Sequence, residues 1–162
     1  MNNTNIQNFA PSSRIWIYQA NEPFQTSDIP MIESQLAAFA KQWVCHSEQL
    51  SSGAELLHDR FVVLTVDESQ LGASGCSIDS SVTFVKQLGA QYNRDLLDRM
   101  RFSFIDKNGD VQTVSKDDFA SLYSSGEINN ETIVFDPLIK TVGELENNFQ
   151  KKLTDSWHAR FV

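Results

Sequence analysis

Four serines, two glycines and a cysteine fall within Gly72-Ala-Ser-Gly-Cys-Ser-Ile-Asp-Ser-Ser81. The stretch follows an apolar run, Phe61-Val-Val-Leu-Thr-Val66, and opens into the helical pattern Val82-Thr-Phe-Val-Lys-Gln-Leu88. Strand, loop and helix start in that order let small residues bring backbone close to a bound group. The unpaired N–H groups of the helix start attract anions. Two chemistries are open to such a loop. Ser74, Gly75, Cys76, Ser77, Ser80 and Ser81 can hold a small anionic or polar ligand through backbone and hydroxyl donors, with Arg14, Arg60 or Arg99 as the cation. Alternatively, Cys76 is a nucleophile at a position that activates thiols, with His158 as its base. The plain alternative is a serine-rich turn capped by Ser77 or Asp79. If the neighbouring strands run parallel, Arg60 and Arg14 lie at their far ends, about 20 Å from the loop.

Several familiar chemistries are absent from the spelling. No Gly-x-x-x-x-Gly-Lys-[Ser/Thr] is present, so the lysine that holds β- and γ-phosphates is missing, and there is no Gly-x-Gly-x-x-Gly. Cys45, His46, His58, Cys76 and His158 match no metal-ligand spacing, and neither metal nor cofactor is expected. Asp106-Lys-Asn-Gly-Asp110 places its glycine at the fourth position of a calcium loop, where the sixth is required, and reads as a hairpin turn.

The totals narrow the partners. Lys plus Arg number 13 against 21 Asp plus Glu, for a net charge of −8, so most of the surface repels a phosphate backbone and nucleic acid is not an expected partner. No segment has the length of a membrane span, and the polar start lacks the pattern of a secretory signal, so a cytoplasmic location is expected, with both cysteines as free thiols.

The elements that must position the loop follow from periodicity. Residues 1–12 are polar and Asn-rich and are expected as a loose N-terminal arm, with a single domain over 13–162. Arg14-Ile-Trp-Ile-Tyr-Gln19 reads as an inner strand. Ile29, Ile32, Leu36, Phe39 and Trp43 make one face of a helix running from Ser27 to about Cys45. Glu55 to Val66 reads as one extended segment. Arg101-Phe-Ser-Phe-Ile105 and Val111-Gln-Thr-Val114 form a hairpin across Asn108-Gly109, a short helix follows to Tyr123, and Thr132-Ile-Val-Phe135 is the last strand. Thr141-Val-Gly-Glu144 starts a terminal helix carrying Val142, Leu145, Phe149 and Leu153. This order predicts an α/β sandwich, with α+β as the alternative, around a mixed sheet of about five strands and three to four helices.

Six segments carry a resemblance. Ser13-Arg-Ile-Trp-Ile-Tyr-Gln19, Asp59-Arg-Phe61, Val66-Asp-Glu68, Ala73-Ser-Gly-Cys-Ser-Ile-Asp-Ser-Ser81, Leu96-Leu-Asp-Arg-Met100 and Ser156-Trp-His-Ala-Arg-Phe161 resemble a small family of uncharacterised bacterial proteins of about this length. The likeness spans nearly the whole chain and implies a bacterial protein. Members are often labelled "ABC transporter ATPase", but the family assigns no role to these residues. This chain lacks the lysine loop, the signature stretch and the length that the label requires, so ATP hydrolysis is not expected.

The leading expectation is a small anionic or polar ligand at residues 72–81. A second is an interaction or assembly domain, a homo-oligomer included, that uses Trp157-His158-Ala159-Arg160-Phe161, since aromatics and arginine favour interface centres. The thiol-dependent enzyme is the third.

Overall fold

The computed structural model describes residues 6–162. In chain order the elements are β1 (Arg14–Gln19), α1 (Ile29–Gln42), β2 (Val44–Cys45), β3 (Glu48–Gln49), β4 (Ser52–Leu57) and β5 (Phe61–Val66), then α2 (Gly75–Tyr92). The second half holds β6 (Arg101–Ile105), β7 (Val111–Ser115), α3 (Lys116–Ser125), β8 (Ile133–Phe135), α4 (Val142–Asn147) and β9 (Gln150–Lys152). Together they form a single-domain α/β fold with three small antiparallel sheets, ordered β1-β5-β4, β2-β3 and β7-β6-β8-β9.

This pairing replaces the mixed sheet predicted from the sequence. The segment 55–66 is not one strand, because the chain reverses at His58 and Asp59, both left-handed at φ 50° and 57°, and the Arg60 N–H closes the turn on the Leu57 carbonyl at 3.1 Å. Neither residue is glycine, but His and Asp are among the types that visit this region most readily. β5 therefore returns between β4 and β1 and runs antiparallel to both. His46 and Ser47 make the same kind of reversal between β2 and β3, at φ 50° and 69°.

β5 is the centre of the first sheet and is buried at every position, which explains its unbroken apolar spelling. Val62, Leu64 and Val66 face α1 and α2 alongside Leu36, Val85 and Leu88. Phe61 and Val63 face the other way, into a second cluster with Phe135, Ile139 and Phe149. A third cluster, Phe102, Phe104, Phe119, Val134 and Leu153, joins the four-stranded sheet to α3. β1 lies at the edge of its sheet, where the Ile15 N–H donates to the Lys140 carbonyl at 3.0 Å.

Both ends of the chain differ from expectation. Ile6 is fully buried in the second cluster, and Pro11 accepts the Gly143 N–H at 2.9 Å, so residues 6–12 are anchored rather than loose. Residues 1–5 lie outside the described part. The terminal helix stops at Asn147, since Asn148 leaves helical geometry at φ −139°, Phe149 turns into the second cluster and β9 pairs with β8. The hairpin across Asn108-Gly109 forms as expected, with Asp106 Oδ1 accepting the N–H groups of Asn108 and Asp110. Among the described residues no helix is long and apolar enough to cross a membrane.

Candidate functional site

α2 starts one cap earlier than Ser77 or Asp79 would set it. Ser74 is the N-cap: its Oγ accepts the Ser77 N–H at 3.2 Å, while Ser77 Oγ accepts the Ser74 N–H at 3.2 Å. This reciprocal box satisfies two donors of the helix start. Ser77 Oγ donates its one proton to the Val44 carbonyl at 2.8 Å, so Ser74 must be the donor in the 3.0 Å contact between the two hydroxyls. Trp43 Nε1 donates to the Ser77 carbonyl at 2.8 Å, and Ser80 Oγ donates to the same carbonyl at 2.8 Å. Ser81 Oγ donates to the Ile78 carbonyl at 2.6 Å.

These bonds correct the role expected for three serines. Ser77 and Ser81 are buried and serve to fasten α2 to β2 and to itself, and Ser80 spends its proton on the helix backbone. What remains open is the first turn itself. Gly75 and Cys76 are exposed, and their N–H groups have no partner among the described residues.

The antiparallel sheet decides which arginine reaches this opening. Arg14 pairs with Val66 in register, so it stands at the exit of β5 instead of at the far end. Its guanidinium carbon lies 4.6 Å from the centroid of the Trp16 ring, and Nη1 is 4.0 Å from Glu68 Oε1. Glu68 Oε2 in turn accepts the Ala73 N–H at 2.9 Å. A Cβ at Gly72 would come within 2.9 Å of that oxygen, so glycine makes room for the carboxylate. Glu68 stands two residues past the end of the apolar strand β5, beside the loop, where an acidic strand end is legible in the sequence. Its neighbour Asp67 accepts the Ser69 N–H, and the bonds from Ser69 hold its carboxyl below the usual range. Asp67 lines a separate open cleft of about 590 Å³ shared with Lys41, Gln49 and Ser52.

The other candidates do not join this site. Arg60 is at the opposite end of β5, and Arg99 is exposed in the turn before β6. His158 is 1% exposed in the third cluster, stacked on Trp157 at 3.8 Å, with Nδ1 bonded to Ser156 Oγ at 2.5 Å. Burial drives its pKa down to about 4, the Lys151 charge acting the same way and Asp136 opposing. Cys76 stands on the surface over the first cluster, so the thiol and the imidazole are held in separate parts of the fold. Among the described residues no three His, Cys, Asp or Glu side chains converge as metal ligands.

One polar cluster had no signal in the spacing. Asp136 accepts from Lys151 Nζ at 2.8 Å, from Trp157 Nε1 at 2.8 Å and from the Leu138 N–H at 2.9 Å. Burial pushes its carboxyl up, but these three hydrogen bonds and the Lys151 charge outweigh it and hold it below the ordinary range. In the C-terminal segment Trp157 and Phe161 are half-buried and pack on Phe102, His158 is buried and Arg160 is exposed.

Comparison of the chain with family models, with curated proteins and with solved structures gives no match.

Proposed function

We propose that this protein binds a small anionic or polar ligand at the start of α2, between Arg14 and the exposed N–H groups of Gly75 and Cys76. The observation that carries the reading is the antiparallel β1–β5 pairing, which brings a guanidinium to the same strand end as the helix N-terminus. A cation and oriented backbone donors together are what an oxyanion requires. The Trp16 ring under Arg14 limits the directions the guanidinium can take. Glu68 occupies part of this opening, and an incoming anion takes over its bond to the Ala73 N–H. Ser74 shapes the mouth as the cap, while Ser77, Ser80 and Ser81 hold the helix in place behind it.

Catalysis is not part of this reading, since His158, the base expected for Cys76, is enclosed against Phe102 and Phe119, and ATP hydrolysis lacks its lysine. The test is a thermal-shift screen with phosphate, carboxylate and nucleotide ligands on the wild type and on Arg14→Gln. At a hundredfold excess over Kd a bound ligand adds about 2.7 kcal/mol to stability. A rise in melting temperature for the wild type that is absent in Arg14→Gln supports the reading, and a screen in which no ligand separates the two proteins rejects it.

A further inference from the structure

Arg60 is 8% exposed, yet it makes no ion pair among the described residues. Burying a guanidinium without a carboxylate is costly, so its surroundings need an account. On its inner side the account is complete. Nε donates to the His58 carbonyl at 3.1 Å, and Nη1 donates to Thr113 Oγ1 at 3.1 Å. Ser103 Oγ donates its proton to Gln19 Oε1 at 2.6 Å, so in the 2.7 Å contact between the Thr113 and Ser103 hydroxyls Thr113 is the donor. Gln19 Nε2 then donates to the Arg101 carbonyl at 2.7 Å. Every bond in this circuit between the three-stranded and the four-stranded sheet runs one way, away from Arg60.

The outer side is different. A guanidinium carries five N–H groups, and both on Nη2 and the second on Nη1 have no protein acceptor among the described residues. Nη2 is not among the fully enclosed polar atoms that lack a partner, so this edge keeps an opening to solvent. His58 stands exposed at the same turn, its ring edge-on to Phe135 at 5.0 Å and without a hydrogen bond among the described residues. Partial burial against these rings, and then the Arg60 charge, hold the imidazole below its ordinary range, which places the two groups within each other's field, with Asp59 opposing.

We propose that the outer Nη1–Nη2 edge of Arg60, beside His58, is a second oxyanion site, taking a phosphate or carboxylate group. The edge presents paired parallel donors, the geometry that planar or tetrahedral oxyanions accept in bidentate fashion. It lies at the far end of β5 from the Arg14 opening, about 20 Å away along the strand, and stands or falls independently of it. Asp59 is the adjacent acid that weakens the site. It is exposed and left-handed, a conformation Asn accepts well, so Asp59→Asn removes the charge without disturbing the turn.

The test uses the full chain and inorganic phosphate, with sodium acetate and sodium chloride at matched ionic strength as the other arms. The readouts are the NMR titration of the His58 ring and the Arg60 Nε–H resonance. Phosphate is expected to raise the His58 pKa saturably in the wild type and equally in Arg14→Gln. Binding tightens two- to threefold in Asp59→Asn and weakens about tenfold or more in Arg60→Gln, the loss of one charged hydrogen-bonding pair. Acetate reproducing the effect assigns the site to oxyanions generally, and phosphate alone assigns it to phosphate groups. An equal response to chloride, no response of either resonance, or loss of the response in Arg14→Gln overturns the proposal. Should Arg60→Gln not fold, the wild-type and Asp59→Asn titrations decide the matter.

Discussion

Arg14 pairs with Val66 across the β1–β5 ladder, and this register places its guanidinium at the mouth of the loop that leads into α2. Parallel pairing of the same strands would have left it at the far end of the sheet, about 20 Å from the loop. The candidate site is thus a consequence of strand direction, and strand direction follows from the reversal at His58 and Asp59.

Loss of Arg14 should affect binding and leave the fold nearly untouched. Its ion pair with Glu68 is long and solvent-exposed, so Arg14→Gln is expected to change unfolding free energy by less than about 1 kcal/mol in urea denaturation.

Ser77→Ala should do the reverse. The substitution removes half of the capping box and the only bond that Ser77 Oγ makes to β2, at a residue 1% exposed. A loss of about 1–3 kcal/mol is expected in the same measurement. A ligand response that survives in this variant confirms that Ser77 holds the helix and does not contact the ligand.

Acid should destabilise the protein through His158 before Asp136 is reached. A buried imidazole with a folded value near 4 and an ordinary value of 6.5 takes its proton more readily in the unfolded chain. The stability it contributes is whole above pH 6.5 and is lost as pH falls from 6.5 toward 4, by about 3 kcal/mol. Asp136 adds a later loss, below its ordinary 3.8, because its folded value is depressed. Denaturation midpoints at several pH values should show a flatter profile between 6.5 and 4 for His158→Asn than for the wild type.

The two thiols should separate cleanly. Cys45 is 5% exposed in the first cluster and Cys76 is on the surface. Iodoacetamide is expected to label one cysteine in the native protein and both in urea, with peptide mapping assigning the native label to Cys76.

Elements with strong local signals were legible in the sequence: β1 from its aromatic and β-branched run, the β6–β7 hairpin from Asn108-Gly109, and α2 from its apolar spacing. The reversal at residues 58 and 59 was not, because no glycine or asparagine marks it, and the chain read through it as one strand. That single turn changed the sheet from mixed to antiparallel and exchanged the far end of β1 for the near one. Ser77 and Ser81 were legible as a serine-rich helix start, but hydroxyl direction depends on the tertiary carbonyls nearby, here those of Val44 and Ile78. The Asp136 cluster joins residues from β8, β9 and the chain end, which no local pattern connects.

The most direct measurement is an NMR titration of the backbone amides with inorganic phosphate at constant ionic strength, on the wild type and on Arg14→Gln. Binding at the start of α2 predicts saturable shifts of the Ala73, Gly75 and Cys76 amide resonances in the wild type that are lost in Arg14→Gln. Amides that do not respond, or that respond equally without Arg14, would contradict it.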